Sequence, residues 1–322
     1  MRAIQITETG GAEVLRLCEL PTPTPGAGQA LVKIEACGVN FIDVYFREGR
    51  YAAALPFIPG QEAAGRVVAL GEGVTSLKPG DRVAWCGVMG TYAEFAVAPV
   101  DRLVAIPNGV TTKQAAAAML QGMTAHYLSH STYSIQPGDA VLIHAGAGGV
   151  GLLLIQMAKR LGARVITTVS TDEKAALARA AGADEVILYT REDFVVRTRE
   201  LTGGAGVRVV YDSVGKTTFE GSLASLEPRG MMVLFGGSSG AVPPFDLIQL
   251  STRGSLFITR PTLNHYIAKC DEFHWRSSDV LGWVADGSLK LRIEHSYPLA
   301  EATQAHHDLE ARKTTGKVLL IP

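Results

Sequence analysis

The chain has 322 residues, of which 47% are hydrophobic and 19% are charged, and its formal net charge at pH 7 is −1. This length and composition leave room for two globular domains, which excludes a largely disordered protein. Lysine and arginine are scattered without a run, so the charge pattern argues against binding to nucleic acid or to an anionic membrane surface.

The first region, residues 1–122, is predicted to consist mostly of β-strands. Turn-forming clusters separate segments in which apolar and polar residues alternate, at 30–36, 66–70 and 91–97. Thr111 and Gln114 have the spacing of a capping box, so a helix should follow through the alanines behind them. The pattern indicates an all-β domain that ends in a helix leading towards the next region.

The second region, residues 123–262, is predicted to alternate strands and helices. Strands are expected at 140–144, 164–169, 185–189, 207–211, 231–235 and 254–259. Apolar residues recur at helical spacing between 150 and 161, and two further helices are expected at 172–181 and 191–201. Elements that alternate at these lengths imply a doubly wound parallel sheet.

The last region, residues 263–322, has a mixed pattern. It is predicted to form a helix, a strand, a second helix and a terminal strand, at 266–286, 291–296, 299–311 and 317–321. A terminal strand needs a sheet to join, so we expect this region to pack back onto the first domain.

The turn after the strand at 140–144 is dense in glycine. Gly146, Gly148 and Gly151 fill the pattern G-x-G-x-x-G, which serves a tight turn, a close approach of backbone to pyrophosphate and close packing of helix on strand. The amino terminus of the next helix offers unpaired N–H groups to that anion. No G-K-[ST] sequence follows, so a P-loop is excluded and a dinucleotide site is indicated.

The stretch 138–159, GDAVLIHAGAGGVGLLLIQMAK, carries a longer signature than these glycines. It occurs together with CGVNFID (37–43), PFIPGQEAAG (56–65), VVYDSVG (209–215), GGSSG (236–240) and SLFITRP (255–261). With these motifs, essentially the whole chain resembles the zinc-free quinone oxidoreductases of the medium-chain dehydrogenase/reductase superfamily.

The resemblance implies an α/β architecture of two domains. A GroES-like β domain, residues 1–122 completed by 263–322, would stand beside a Rossmann-type NADPH-binding domain, residues 123–262, with the active site in the cleft between them. The cofactor-binding residues expected from motif and resemblance are Gly146, Gly148, Gly149, Val150, Gly151, Ser170, Lys174, Tyr189, Ser213, Gly236, Ser238, Ser239, Phe257, Thr259, Arg312 and Gly316.

The choice of NADPH over NADH depends on the end of the strand at 164–169. An NAD site typically has an acidic residue about 20 positions past the glycines, whereas this strand ends in Val169, Ser170 and Thr171. Asp172 and Glu173 follow at once. We assign them to a first helical turn behind a Ser170 or Thr171 cap, where acids suit the helix dipole, and the alternative is that one of them accepts the ribose hydroxyl of NAD.

A basic residue is placed to reach the phosphate that distinguishes NADPH. Lys174 follows the two acids directly, and the resemblance adds Tyr189 and Arg312 around the same group. We therefore predict NADPH as the cofactor.

Two positions argue against a catalytic metal. Zinc alcohol dehydrogenases of this superfamily carry a cysteine where Asn40 stands and a histidine where Gln61 stands, and catalytic zinc requires about three protein ligands. His126 and His130 are four residues apart, but a tyrosine follows His126 where H-E-x-x-H would need glutamate. We predict no metal and interpret both histidines as structural.

The resemblance also names a substrate pocket. It places Asn40, Asp43, Tyr45, Tyr51 and Gln61 around this pocket, with Thr124 near the nicotinamide ribose. The tyrosines could stack on a flat substrate or simply pack at a domain edge, and Asp43 is expected to orient its neighbours. Hydride transfer from the nicotinamide then depends mainly on positioning and on hydrogen bonds to developing charge.

Three functions follow from these observations. We predict an NADPH-dependent quinone oxidoreductase that transfers a hydride, or single electrons, to a small quinone. The alternative within the same fold is an NADPH-dependent reductase of the C=C bond in enones or alkenals, which needs a proton delivered to carbon. A third class is RNA binding or a structural, crystallin-like role, against which the absence of a basic patch counts in the case of RNA.

The sequence also predicts the compartment and the assembly. No apolar stretch reaches the roughly 18 to 20 residues of a membrane span, and residues 1–7 lack a signal-peptide core. The four cysteines lie far apart without a C-x-x-C pair, which favours reduced thiols. We expect a cytoplasmic protein that forms a homodimer through the edge strand at 254–259 of the Rossmann-type domain.

Overall fold

The computed structural model describes residues 1–322. The chain divides into two compact units, one formed by Met1–Met123 with Tyr266–Pro322 and the other by Thr124–His265. The second unit is therefore inserted, in sequence, between two parts of the first.

Strands and helices occupy most of the chain. The strands are Arg2–Gln5 (β1), Arg16–Glu19 (β2), Gln29–Val39 (β3), Glu62–Leu70 (β4), Arg82–Cys86 (β5), Phe95–Pro99 (β6), Val104–Ala105 (β7), Ala140–His144 (β8), Arg164–Val169 (β9), Glu185–Leu188 (β10), Val207–Asp212 (β11), Leu226–Leu234 (β12), Phe257–Thr259 (β13), Ile293–Pro298 (β14) and Lys317–Ile321 (β15). The α-helices are Phe41–Arg47 (α1), Thr112–Tyr127 (α2), Gly149–Arg160 (α3), Asp172–Ala180 (α4), Phe194–Leu201 (α5), Phe219–Ala224 (α6), Ile248–Thr252 (α7), Leu263–Tyr266 (α8), Cys270–Ala285 (α9) and Ala302–Glu310 (α10).

The first unit is built on a seven-stranded sheet. Its strand order is β14-β15-β3-β4-β5-β7, and β6 pairs with β3. The terminal strand β15 lies antiparallel to β3, with Leu319 opposite Gly38, so the prediction that the tail packs back onto the first domain is confirmed. The core includes Ile4, Trp85 and Leu320, which are fully or almost fully buried.

The second unit contains a six-stranded parallel sheet. Its strand order is β10-β9-β8-β11-β12-β13, and every neighbouring pair runs parallel. Buried apolar residues such as Leu142, Ile166 and Met232 fill its core, as expected for strands covered on both faces. The doubly wound sheet predicted from the alternating pattern is confirmed, with β13 as an edge strand.

Two helices differ from the predicted bounds for identifiable reasons. Helix α5 begins at Phe194 and not at residue 191, because the Asp193 carboxylate accepts hydrogen bonds from the amides of Val195 (2.7 Å) and Val196 (3.2 Å) and caps the helix there. The helix predicted at 266–286 begins only at Cys270 as α9, and the separate short helix α8 ends at Tyr266. Between them, the carbonyls of Ile267 and Ala268 accept from the guanidinium of Arg102.

The predicted capping box of α2 is confirmed. The Gln114 amide donates to the Thr111 hydroxyl at 3.2 Å, and the Gln114 side chain accepts from the Thr111 amide at 2.9 Å. Neither α2 nor any other helix combines the length and apolar character that a bilayer crossing requires.

Candidate functional site

The glycine-rich turn connects β8 to α3. A side chain at Gly146 would overlap the hydroxyl of Thr167, and one at Gly151 would overlap the carbonyl of Ala145, so both positions require glycine. Gly148 is the N-cap of α3 and contributes no side-chain cap, which leaves the first amides of the helix to an anion. The turn therefore has the shape and the polarity that a pyrophosphate needs.

Most predicted cofactor residues of the second unit lie at one edge of its sheet. Parallel strands end at the same edge, and these residues follow or close successive strands: Gly146 to Gly151 after β8, Ser170 after β9, Tyr189 after β10, Ser213 after β11, Gly236, Ser238 and Ser239 after β12, and Thr259 at the end of β13. Phe257 differs, because it opens β13 and is 56% exposed. Lys174 lies in the first turn of α4, shortly after β9. The sheet thus gathers all of this predicted set except Phe257 and Lys174 at its carboxyl edge.

A second glycine loop closes onto the residues after β11. A side chain at Gly236 would overlap the backbone of Ser213, and the Ser239 hydroxyl donates to the carbonyl of Val214 at 2.8 Å. The same hydroxyl accepts from the Thr217 amide at 3.1 Å. This serine therefore fixes the loop, whatever else it contacts.

A buried polar network lies beneath this edge. His144 hydrogen-bonds through Nδ1 to the Thr168 hydroxyl (2.8 Å) and through Nε2 to the Ser222 hydroxyl (3.1 Å), and Ser222 donates to Asp212 (2.7 Å). All four residues are at most 2% exposed, and burial lowers the pKa of His144 although Asp212 opposes the shift. The network has no access to solvent, so it fixes the strand ends that carry the glycine turns.

The corner formed by the ends of β9 and β10 holds two of the residues predicted to bind the 2′-phosphate, Lys174 and Tyr189, whereas Arg312 belongs to the first unit. The Thr171 hydroxyl accepts from the Lys174 amide at 3.3 Å, which makes Thr171 the N-cap of α4. Asp172 and Glu173 lie in the first turn of α4, as predicted. The guanidinium of Arg191 binds the Asp172 carboxylate through two hydrogen bonds of 2.7 and 3.2 Å.

In the first unit, Asn40 is held by three side chains. Its side-chain nitrogen Nδ2 donates to Glu62 at 2.6 Å, and its side-chain oxygen Oδ1 accepts from Lys317 (3.0 Å) and from Gln121 (3.1 Å). Glu62 and Lys317 also form an ion pair, and both are at most 2% exposed. The polar atoms of Asn40 are thus committed to the protein, which suits a positioning residue better than an acid or a base.

Asp43 ends a chain of hydrogen bonds with a defined direction. Arg47, which can only donate, contacts Nδ1 of His306 at 3.1 Å, so the His306 proton lies on Nε2 and is donated to the Tyr92 oxygen at 3.1 Å. The Tyr92 hydroxyl in turn donates to Oδ2 of Asp43 at 3.0 Å, and the backbone amide of Asn40 donates to the same oxygen at 2.9 Å.

The protonation states of this chain follow from burial. Burial and the nearby guanidinium of Arg47 lower the pKa of His306 to about 3, so the ring is neutral. Burial raises the pKa of Asp43 to about 7, although the Asn40 amide and the Tyr92 hydroxyl favour its ionised form. Because Oδ2 already accepts two hydrogen bonds and Oδ1 has none, a proton on Asp43 belongs on Oδ1.

The remaining predicted substrate residues differ in exposure. Tyr45 and Tyr51 meet edge to face with ring centroids 5.5 Å apart, and Tyr45 is buried while Tyr51 is 38% exposed. Gln61 in the first unit and Thr124 in the second are both buried. Only Tyr51 of this set therefore presents a large ring surface to solvent.

Arg312 and Gly316 belong to the first unit and have unusual backbones. Arg312 follows α10 with φ 57°, in the left-handed region that favours glycine. Gly316 has φ 63°, and a side chain there would meet the Arg292 carbonyl at 2.5 Å, so this glycine has a steric reason of its own.

His126 and His130 pack as stacked rings, with centroids 4.3 Å apart. His126 is fully buried, and Nδ1 of His130 lies 3.1 Å from the His126 carbonyl. No group of three or more histidine, cysteine, aspartate or glutamate side chains comes together to hold a metal ion.

Comparison with known proteins identifies the family. Two family models match, the alcohol dehydrogenase GroES-like domain over residues 26–108 and the zinc-binding dehydrogenase over residues 149–272. The quinone oxidoreductase of Pseudomonas aeruginosa is 45% identical over 323 residues, which cover 100% of this chain and 99% of that relative. The chain belongs to the quinone oxidoreductase family of the medium-chain dehydrogenase/reductase superfamily.

Two further members of the superfamily bear on cofactor and substrate. The crystal structure of Escherichia coli quinone oxidoreductase complexed with NADPH has a TM-score of 0.98 and 44% identity, covering 100% of both chains. The 2-haloacrylate reductase of Burkholderia sp. is 41% identical over 328 residues, which cover 99% of this chain and 98% of the relative. The predictions of an oxidoreductase, of its family and of its fold class are confirmed.

For this member of the quinone oxidoreductase family, sequence reasoning missed the partners of the predicted residues. Tyr92, His306 and Lys317 are far from Asn40 and Asp43 in sequence, and no local pattern connects them. Arg191 had a usable signal, because it lies two residues after Tyr189 at the end of a neighbouring strand. His144 also had a usable signal, because it is a polar residue at the end of the apolar strand β8 and needs a hydrogen-bond partner when it is buried.

Proposed function

We propose that this protein is an NADPH:quinone oxidoreductase that reduces a small quinone. The observation that carries the proposal is the glycine turn between β8 and α3, where side chains at Gly146 and Gly151 would overlap their neighbours and the helix amides are left to an anion. A pyrophosphate-bearing cofactor fits this cradle. When bound, NADPH supplies the hydride.

The residues proposed to hold the cofactor are those of the predicted set. Gly149, Val150 and Gly151 would bind the pyrophosphate through backbone amides. The amides of Gly146 and Gly148 donate to the carbonyls of Thr168 and Ala145, so these two glycines would instead allow the close approach of the pyrophosphate. Lys174 with Tyr189 would bind the 2′-phosphate. Thr171 supports the latter role, because it caps α4 and fixes the first turn in which Lys174 lies.

The substrate side is proposed to use the tyrosine pair. Tyr51 is 38% exposed and would stack on a flat substrate, and the edge-to-face contact with Tyr45 supports its ring. Asn40, Gln61 and Thr124 remain proposed pocket residues, with Asn40 in a positioning role.

A second candidate is reduction of an activated C=C bond. This reaction needs a proton delivered to carbon, and Asp43 is too buried to contact a substrate directly, because it is 1% exposed and its Oδ1 is buried. The 2-haloacrylate reductase relative supports the same candidate.

Side-by-side kinetics test the two candidates. Metal-analysed protein is assayed with 1,4-benzoquinone and with an α,β-unsaturated aldehyde, each with NADPH and with NADH. The proposal expects the highest kcat/KM for NADPH with the quinone. A higher kcat/KM for the aldehyde would favour the second candidate, and stoichiometric zinc would contradict the metal-free reaction.

We also propose that the protein is a homodimer joined at β13. This edge strand and the segment before it expose Leu247, Ile248 and Phe257 at 70%, 61% and 56%, which is unusual for such large apolar side chains. Light scattering on the wild type and on Ile248→Lys tests the proposal, which expects a dimer and a shift to monomer. A monomeric wild type would contradict it.

The cytoplasm remains the proposed compartment. All four cysteines are free thiols, and two of them, Cys37 and Cys86, are buried. A reducing compartment suits such thiols. Fractionation of cells that express the protein at its natural level tests this proposal, and recovery outside the cytoplasm would contradict it.

A further inference from the structure

Asp172 carries an unfavourable charge for a protein that binds NADPH. It is the first residue of α4, directly after the N-cap Thr171 and two residues before Lys174. A carboxylate at the end of this strand is the feature by which NAD sites bind the ribose hydroxyl and repel a 2′-phosphate. Its effect in this chain depends on what neutralises it.

Arg191 is the group that does so. Its two terminal nitrogens contact the two carboxylate oxygens of Asp172 at 3.2 and 2.7 Å, in the bidentate geometry that makes arginine–carboxylate pairs strong and directional. The pair of hydrogen bonds turns the acceptor oxygens of Asp172 towards the guanidinium.

The backbone holds the two partners together. The Thr190 hydroxyl donates to the Ser170 carbonyl at 3.0 Å, and the Tyr189 amide donates to the Val169 carbonyl at 3.2 Å. These two hydrogen bonds join the turn that follows β10 to the turn that follows β9. Arg191 is therefore placed beside Asp172 by the fold.

Within the first turn of α4, the charges balance only when Arg191 is counted. Asp172 and Glu173 each carry one negative charge, and Lys174 and Arg191 each carry one positive charge. Glu173 remains ionised, because its own amide and the Thr171 hydroxyl lower its pKa. Without Arg191 this turn would carry a net negative charge, which would repel a phosphate that approached Lys174.

We propose that Arg191 is a specificity residue, which neutralises Asp172 and thereby allows the corner to accept the 2′-phosphate of NADPH. This inference rests on the proposed NADPH-dependent function and assigns a role that neither the glycine motif nor the resemblance provides. The side chains of Arg191 and Asp172 are 61% and 65% exposed, so solvent screens their field. An effect of about five- to tenfold on affinity is expected.

The test compares coenzymes by direct binding. Isothermal titration calorimetry gives the Kd of NADPH and of NADH for the wild type, Arg191→Ala, Asp172→Asn and the double variant, at low and at high ionic strength. Arg191→Ala should raise the Kd of NADPH about five- to tenfold and that of NADH much less. High salt should reduce this difference, and the double variant should recover most of the NADPH affinity, because the exposed acid is gone.

Arg197→Ala is the matched control. Arg197 is an exposed arginine on α5 that pairs with Glu200 at 2.9 Å and with Glu192 at 3.7 Å, so its removal changes the net charge equally without breaking the pair of Asp172 and Arg191. It should leave the ratio of the two Kd values unchanged. Melting curves of all variants verify that they are folded.

The outcomes separate this inference from the proposed function. Suppose that the wild type binds NADPH more tightly than NADH and that Arg191→Ala keeps the same ratio of the two Kd values. The role proposed for Arg191 is then wrong, while the proposed function stands. If Arg197→Ala lowers the ratio as much as Arg191→Ala, the effect is one of net charge and the inference is also overturned. A wild type without preference for NADPH would overturn the inference together with the NADPH assignment.

Discussion

The two units arrange their charged residues in opposite ways. In the first unit, Glu62 and Lys317 form an ion pair that is almost completely buried and bonded to Asn40. In the second, Asp172 and Arg191 form a pair in which both side chains are more than half exposed. A buried pair cannot lose one member without leaving a charge in a low dielectric, whereas an exposed pair can be changed at little cost. The first arrangement suits a rigid framework, and the second suits the adjustment of affinity.

Breaking the buried pair should have the largest effect. Lys317→Met leaves Glu62 charged and buried, and we expect the free energy of unfolding to fall by about 3–5 kcal/mol. Chemical denaturation measures this change. Adding Glu62→Gln to the variant should recover a substantial part of the loss, because it removes the uncompensated charge.

The matched control is an exposed pair in the same sheet. Arg66 contacts Glu35 at 2.9 Å, and their side chains are 50% and 35% exposed. Arg66→Ala should cost less than about 1 kcal/mol. Equal losses for Arg66→Ala and Lys317→Met would remove the distinction between the two kinds of pair.

The glycine turn between β8 and α3 should tolerate substitution poorly, because its backbone is closely packed. In Gly151→Ala the new side chain would overlap the Ala145 carbonyl, so we expect a loss of about 1–3 kcal/mol in stability and a large loss of NADPH affinity. Gly282→Ala is the control, because Gly282 lies exposed in α9 with open space around its Cα. This control should stabilise the protein by up to about 1 kcal/mol. Unchanged coenzyme binding in Gly151→Ala would show that the turn does not approach the cofactor.

The raised pKa of Asp43 should make the stability of the folded protein depend on pH. Its pKa rises from 3.8 to about 7 in the folded protein, so folding binds its proton more tightly. The stabilising contribution of the protonated form is fully present below pH 3.8 and is lost as pH rises through about 7. The carboxyl is also faced by Glu62, which opposes ionisation, and by Lys317, which favours it.

The Asp43→Asn variant isolates this contribution. Its amide mimics the protonated acid, so the decline in stability between about pH 4 and 7 should be smaller than in the wild type. Denaturation midpoints across this range measure the slope. Asp101→Asn, at an exposed carboxyl, controls for the loss of a negative charge, and the same slope in wild type and Asp43→Asn would contradict the raised pKa.

Substitution of Arg312 by glycine should give the smallest change in the free energy of unfolding. The Arg312 amide donates to the Leu309 carbonyl (3.1 Å) and the Lys313 amide to the Asp308 carbonyl (3.0 Å), the arrangement of a helix end that normally has glycine at this position. Arg312→Gly should therefore stabilise the protein by about 0.5–1 kcal/mol and weaken NADPH binding, if Arg312 binds the 2′-phosphate as predicted.

A second arginine with a left-handed backbone conformation, Arg229, provides the comparison for Arg312→Gly. Arg229 has φ 64° in β12 and lies outside the predicted cofactor set. Arg229→Gly should also stabilise the protein, but without a change in the Kd of NADPH. Equal NADPH affinity in both variants would remove Arg312 from the cofactor site.

The sequence predicted most of the fold because its signals were local. The strands β8, β9 and β15 match their predicted bounds, since each is a short apolar run between turn residues. Helix α1 was missed because its seven residues lie in a region dominated by strand patterns. Its start becomes clear only from the hydrogen bond between the Asn40 amide and the Asp43 carboxylate.

The site was predicted less completely, for a physical reason. The residue types at Asn40 and Asp43 are visible in the sequence, but their roles depend on Lys317 and His306, more than 250 positions away. Such partners are brought in by the pairing of β15 with β3 and by the packing of α10. Asn40 was predicted only as a pocket residue, and the structure adds that Glu62, Lys317 and Gln121 bind its side-chain polar atoms.

The insertion of one unit within the other affects the order in which the chain can fold. The whole of the second unit, Thr124–His265, is synthesised before β15, which is the strand that pairs with β3 and carries Lys317. Because domains fold as units during synthesis, the parallel sheet can form on the ribosome while the edge of β3 and the carboxylate of Glu62 still lack their partners. The nascent first unit therefore passes through a stage with an open strand edge and an unpaired acid, when it most needs protection from aggregation.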